Sequence, residues 1–232
     1  MAPRSLLVPI YVVLALYAAD GIISLSFLST MVAWLQRSGG AGPFTVNNGG
    51  GTFRMPGEPL NLMTNHGHVT NGAGGTAVVL IGFGGIIALI SEHKSRKKYG
   101  KSSTLFLAWA VCVVLSWLLT LSALIYTFVL QNQTSSQTIS LQAAARAAPA
   151  KYPLDSWTPE SWYNAMLALP LADDSVRGVI AYNLRIMRGW RYNLIALFLV
   201  GFVLMVLVVA EVLRGRKSRG TYGRAPSGEV EK

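Results

Sequence analysis

The chain contains a single cysteine, Cys112, and only three histidines and ten acidic residues among its 232 residues. A lone cysteine excludes an intrachain disulfide and a CxxC pair for thiol redox chemistry. The histidines, at positions 66, 68 and 93, form neither a haem-binding pair in an apolar run nor a catalytic dyad, and no Walker-type phosphate loop occurs. We therefore expect a protein that is not an enzyme and that carries no metal or other cofactor.

Charge is also scarce, since 13% of the residues are charged whereas 52% are hydrophobic. The hydrophobic residues cluster in four runs, each longer than the roughly 18–20 residues that cross about 30 Å of hydrocarbon as a helix. The predicted fold class is an all-α integral membrane protein, a four-transmembrane-helix bundle with a small, partly helical second extracytoplasmic loop. The predicted spans cover residues 6–35, 72–92, 103–130 and 191–213.

Five basic residues crowd into residues 93–102, the short segment between the second and third spans. Segments rich in Lys and Arg resist translocation, so this segment is predicted to be cytosolic. The same threading places residues 1–5 and a disordered basic tail, 214–232, in the cytosol and leaves residues 36–71 and 131–190 outside. The basic side chains predicted to contact anionic lipid headgroups are Lys94, Arg96, Lys97, Lys98 and Lys101.

The net charge of +10 is explained by this topology, so nucleic acid is not an expected partner. The predicted partners are the lipid bilayer, with anionic lipids on its cytosolic face, and other membrane proteins or a second copy of the chain. The protein is predicted to be a multi-pass membrane protein with both termini in the cytosol. The residues do not distinguish the plasma membrane from an endomembrane.

Both outer segments carry signals of local structure. An Asn-Asn-Gly-Gly-Gly run tolerates the positive φ of a tight turn, so residues 44–55 are predicted to form a β-hairpin. Residues 133–150 have the composition of a linker. After them, Thr158 followed by proline marks a helix start, and helices are predicted at about 159–169 and 174–188.

Aromatic residues of the second outer segment form a candidate docking platform for a partner. These residues are Trp157, Trp162, Tyr163 and Trp190. Trp and Tyr are equally typical of the interfacial belt of a membrane protein. The two interpretations differ in one observable, because alanine at a docking residue removes the partner and leaves membrane insertion intact.

One acidic residue, Asp20, lies near the middle of the first predicted span. An ionisable group at that depth is costly and is expected to face other helices or water. Tyr17 and Ser24 share its helical face at i−3 and i+4, and Ser116 and Thr120 provide a weakly polar face on the third span. This set is either a proton or cation site or a means of packing helices together.

The second span carries small residues at helical spacing, namely Ala73, Ala77, Gly84 and Ala88. In lipid, small residues allow two helix backbones to approach closely. The stripe is therefore predicted either to place the second span at the centre of the bundle or to seat the helix of a partner protein.

The layout of cytosolic ends, a short inner loop and a larger second outer loop resembles that of tetraspanins and claudins. The resemblance is one of architecture, because the outer-loop cysteines of those families are missing and Cys112 lies within a span. No functional residue is transferred from them. The expected function is that of a non-enzymatic scaffold, organiser or accessory subunit of other membrane proteins. The alternative is a transporter or channel that uses Asp20 as a proton or cation site.

Overall fold

The computed structural model describes residues 6–40 and 42–222, with side chains described as far as residue 215. The chain is mostly helical. In chain order the elements are α1 (Leu7–Trp34), a π-helical segment (Leu35–Gly39), β1 (Phe44–Asn47), β2 (Thr52–Met55), α2 (Asn65–Gly75), a second π-helical segment (Thr76–Phe83), α3 (Gly84–Tyr99), α4 (Thr104–Thr134), α5 (Leu141–Ala147), α6 (Pro159–Leu167) and α7 (Asp174–Tyr222).

Four helical stretches of the described chain are long and apolar enough to cross a membrane: Leu7–Gly39, Asn65–Tyr99, Thr104–Thr134 and Asp174–Gly215. The second stretch begins at Asn65, seven residues before the predicted start, in a segment rich in glycine. Helix propensity is poor there, but Thr70 and Ala73 are buried, and tertiary packing overrides propensity.

The helix predicted at 174–188 and the fourth predicted span are one continuous helix, α7. The sequence between them, Gly189-Trp190-Arg191, contains no proline, and a single glycine in a helix costs only about 1 kcal/mol. α7 continues to Tyr222, so residues 214–222 of the tail predicted to be disordered are helical. Residues 1–5 and 223–232, the remainder of the predicted cytosolic ends, lie outside the described residues.

The chain divides into two compact units, which are described separately. The described part of the first unit comprises residues 6–19, 76–118 and 198–222. Most of its buried side chains are apolar. The Trp109 indole nitrogen donates a 3.2 Å hydrogen bond to the carbonyl of Ile81. Side chains without exposed surface in this unit include Ile10, Ile81, Leu89, Phe106, Leu204 and Val208.

The second unit comprises residues 20–75 and 119–197, of which residue 41 is not described. Strands β1 and β2 pair antiparallel with Phe44 opposite Met55, within the range predicted for a hairpin. The Asn47 amide donates a 2.9 Å hydrogen bond to the carbonyl of Pro170, so β1 is also held on the side away from β2. The hairpin is thus built into the unit rather than projecting from it.

An additional helix, α5 (Leu141–Ala147), occupies part of the segment predicted to be a linker. The Ser140 side chain caps it by accepting a hydrogen bond from the Ala143 amide, and Ala144 is buried. Helix α6 starts where the Thr-Pro signal predicts, with a capping box between Thr158 and Ser161. Ordered structure therefore extends through most of residues 131–190.

Candidate functional site

The most strongly charged buried site of the first unit joins two carboxylates to one guanidinium. Arg96 Nε lies 2.6 Å from Glu92 Oε1, one helical turn earlier on α3, and Arg96 Nη1 pairs with Glu211 of α7. The side chains of Glu92 and Glu211 are 0% and 1% exposed, whereas that of Arg96 is 29% exposed. We refer to these three residues as the carboxylate–arginine cluster.

Backbone amides complete the cluster. The Ser103 amide donates a 2.6 Å hydrogen bond to Glu92 Oε2, immediately before the start of α4. The Leu6 amide donates a 3.1 Å hydrogen bond to Glu211 Oε2, immediately before the start of α1. Free amides and the helix dipole favour negative charge at helix N-termini, so both carboxylates occupy favourable positions. The cluster therefore joins the N-terminal ends of α1 and α4 to the C-terminal part of α3 and to α7.

This arrangement corrects the prediction for Arg96. Arg96 was predicted to contact lipid headgroups with its four lysine neighbours, but its guanidinium is held by Glu92 and Glu211. The lysines Lys94, Lys97, Lys98 and Lys101 are exposed. The pairing of Glu92 with Arg96 has a local sequence signal, the i,i+4 Glu-Arg spacing at the end of an apolar run. Its pairing with Glu211, over a hundred residues later, has no local signal.

Two of the predicted intramembrane polar residues meet in the first unit. The Tyr17 hydroxyl lies 3.2 Å from the Ser116 hydroxyl, and both side chains are buried. A side chain at Gly201 of α7 would place its Cβ 2.9 Å from the Tyr17 ring, so glycine is needed there for the ring to pack. This contact is a hydrogen bond between α1 and α4, as the packing interpretation of the polar set requires.

Asp20 belongs to the second unit, together with Ser24 and Thr120. Its backbone carbonyl accepts a long, 3.5 Å hydrogen bond from the Asn193 side chain of α7. Within the described structure, the buried carboxylate oxygen Oδ2 of Asp20 has no hydrogen-bond partner. Ser24 and Thr120 are buried. Asn193 is thus a polar neighbour of Asp20 that lies outside the predicted polar set.

The four aromatic residues predicted as a docking platform are buried in the second unit. Trp157, Trp162 and Tyr163 are 0% exposed and Trp190 is 3% exposed. The Trp157 and Trp162 rings pack edge to face with centroids 5.2 Å apart. Rings with no exposed surface cannot contact a partner without unfolding the unit. The docking interpretation of these four side chains is therefore wrong, and so is the interfacial-belt interpretation for the three without exposed surface.

The backbone at Gly57, in the loop after β2, binds two side chains of this aromatic core. The Trp162 indole nitrogen and the Tyr163 hydroxyl donate hydrogen bonds of 2.8 Å and 3.1 Å to the carbonyl of Gly57. Burial raises the pKa of the Tyr163 phenol, which keeps this group protonated as a donor. A Cβ at Gly57 would overlap the carbonyl oxygen of Gly39, so only glycine fits at this close approach. α6 is thereby tied to the loop that follows β2.

A polar cleft of the second unit lies beside α6. Glu160 lies 3.0 Å from Arg191 Nη2 and 3.6 Å from Arg188 Nε, and Arg188 also donates to the Asn164 side chain at 2.9 Å. Burial raises the pKa of Glu160, and the charges of Arg191 and Arg188 oppose that rise. These ion pairs join α6 to α7. The charged side chains of the cleft therefore stabilise the fold of the second unit.

The small-residue stripe is used within the chain. Ala73, Ala77 and Ala88 are 0% exposed, so they are not available to a partner helix. Gly84 is only half-buried, and the tight position falls at Gly85, where a Cβ would lie 2.7 Å from the Trp109 ring. The stripe therefore serves close packing between the chain's own helices.

Among the residues that the structure describes, no group of three or more His, Cys, Asp or Glu side chains is arranged to hold a metal ion. Comparison with protein-family models, with curated proteins and with solved structures finds no match.

Proposed function

We propose that the protein is a non-enzymatic four-span membrane protein that acts as a scaffold, organiser or accessory subunit of other membrane proteins. Its four apolar helices form a bundle across the bilayer, both termini lie in the cytosol, and the hairpin, α5 and α6 lie outside. Anionic lipids contact the exposed lysines of residues 93–102 on the cytosolic face. The other contacts are made with membrane proteins or with a second copy of the chain.

One observation carries this proposal: residues 131–190 and the hairpin form an ordered body around a buried aromatic core. Order of this kind presents a preformed surface, and a preformed surface loses less conformational entropy on binding than a flexible loop does. The proposed contact surface includes the hairpin, because Thr52 and Arg54 of β2 are exposed. The buried tryptophans stabilise this surface from beneath.

Photo-crosslinking in intact membranes tests this function. A photoreactive residue at Thr52 or Arg54 is expected to give one discrete protein adduct, because a fixed surface contacts a partner in one geometry. The same residue at Val79, which is 64% exposed on the second span, provides the control for contacts made within the bilayer. Two results together contradict the proposal. The photoreactive residue on β2 gives only lipid adducts, and the chain purifies in mild detergent as a monomer without any bound protein.

Asp20 favours a second candidate function, a transporter or channel. The unpartnered buried oxygen of Asp20 resembles the intramembrane carboxylates that bind protons or cations. In reconstituted vesicles, Asp20→Asn is then expected to abolish proton or cation flux. The matched control is Asn193→Ala, which removes the neighbouring amide and leaves the carboxylate. Flux that is absent in the unchanged protein, or unaltered by Asp20→Asn, rejects this function.

A further inference from the structure

The exposed lysines of residues 93–102 are not equivalent in the structure. Lys94 and Lys98, one helical turn apart on α3, line a cleft of about 710 Å³ in the first unit, whereas Lys97 and Lys101 do not. The cleft contains no acidic lining residue. Neither Lys94 nor Lys98 forms an ion pair with another described residue, because the acidic residues of this region are bound to Arg96.

Along α3, the lining of the cleft changes from apolar Ile87 and Ile90 to basic Lys94 and Lys98. Ser102 and Thr104 are among the lining residues, and their side chains carry hydroxyl groups, which are donors that suit a phosphate. Ile87 and Leu105 continue the lining and are 61% and 48% exposed. A site with cations and hydroxyls at one part and exposed aliphatic side chains at another is complementary to an amphipathic anion.

The position of the cleft along the helices favours a lipid as that anion. Ile87 lies in the apolar part of the Asn65–Tyr99 stretch, and Lys94 and Lys98 follow where the apolar residues give way to charge. In a bilayer this transition coincides with the headgroup region. An acyl chain against Ile87 and a phosphate beside Lys94 and Lys98 therefore match the order of groups in a phospholipid.

We propose that this cleft is a binding site for one anionic phospholipid of the cytosolic leaflet. Its headgroup phosphate is bound by Lys94 and Lys98 with the hydroxyls of Ser102 and Thr104, and an acyl chain lies along Ile87 and Leu105. The site makes the lipid contact of the proposed function specific to two of the four exposed lysines. It does not depend on the organising role, so a negative crosslinking result leaves it intact.

Native mass spectrometry of the full chain in mild detergent tests the site, with dioleoylphosphatidylserine as the probe. The double variant Lys94→Gln/Lys98→Gln is expected to weaken the first lipid adduct roughly 25-fold, since each lysine near an anionic lipid surface contributes about a fivefold factor. The matched control Lys97→Gln/Lys101→Gln removes the same charge outside the cleft. Because salt screens charges that do not contact the lipid, its affinity is expected to stay within about twofold of the unchanged protein. Equal weakening by the two double variants indicates diffuse attraction and overturns the proposal.

A second pair of variants tests the apolar half without altering charge. Ile87→Trp is expected to obstruct the cleft and weaken the same adduct, while Val79→Trp, at another exposed position of the first unit, is expected not to. Dioleoylphosphatidylcholine that binds as tightly as phosphatidylserine overturns the site's charge recognition. Glycerophosphoserine that displaces the lipid at an equal concentration shows a soluble phosphate as the occupant and also overturns the proposal. The thermal unfolding midpoint of each variant verifies folding, and the single variants at Lys94 and Lys98 replace the double variant if it unfolds.

Discussion

Arg96→Gln is expected to destabilise the first unit by about 3–5 kcal/mol, the cost of leaving buried charge without its partner. Glu92 and Glu211 are almost fully buried, and Arg96 is the cation bound to both. The Ser103 and Leu6 amides also donate to the two carboxylates, but neither amide carries a positive charge. The measurement is the unfolding transition of the full chain in mild detergent.

Two further variants show whether the loss comes from uncompensated charge. Lys97→Gln removes an exposed cation one residue away and is expected to leave the transition unchanged. Combining Arg96→Met with Glu92→Met and Glu211→Met removes all three charges, and this triple variant is expected to regain most of the lost stability. An Arg96→Gln protein as stable as the unchanged chain would mean that the cluster does not hold the four helices α1, α3, α4 and α7 together.

Trp162→Ala is expected to destabilise the second unit by about 3–5 kcal/mol, the usual cost of removing a large buried aromatic side chain. The ring is 0% exposed and packs on Trp157 and on Tyr152, whose ring centroid lies 5.8 Å away. The substitution also removes the indole hydrogen bond to the carbonyl of Gly57. Limited proteolysis of the hairpin region, together with the unfolding transition, measures the loss.

Conservative and exposed substitutions separate the two contributions. Trp162→Phe retains most of the apolar volume, and the Gly57 carbonyl keeps its bond from Tyr163, so a loss of only about 1–2 kcal/mol is expected. Tyr182→Ala, at a 60% exposed aromatic residue of the same unit, is expected to have little effect. A Trp162→Ala protein that keeps its stability but loses a crosslinked partner would restore the docking interpretation of this residue.

Lys94 and Trp162 illustrate which properties of the site residues could be predicted from the sequence and which could not. A run of Lys and Arg between apolar segments has a local physical meaning, so the basic character of residues 93–102 was evident without a structure. Within that run, Arg96 differs from Lys94 because its guanidinium is bound by Glu92 of the same helix and by Glu211 of α7, and the second of these contacts has no local signal. Likewise, the local sequence around a tryptophan of an outer segment, such as Trp162, is the same whether its ring is exposed or lies in a core.

Apolar length and local turn and capping signals were sufficient to predict four long helices, the hairpin around the Asn-Gly turn and Thr158 as the N-cap of α6. These features depend on hydrogen bonds and solvation within about one element, and the residues that specify them are neighbours in the chain. The carboxylate–arginine cluster, the burial of the aromatic residues and the separation of Lys94 and Lys98 from Lys97 and Lys101 depend on helices far apart in sequence. Only the packing of those helices creates such contacts, because side-chain burial and charge pairing are properties of the assembled chain.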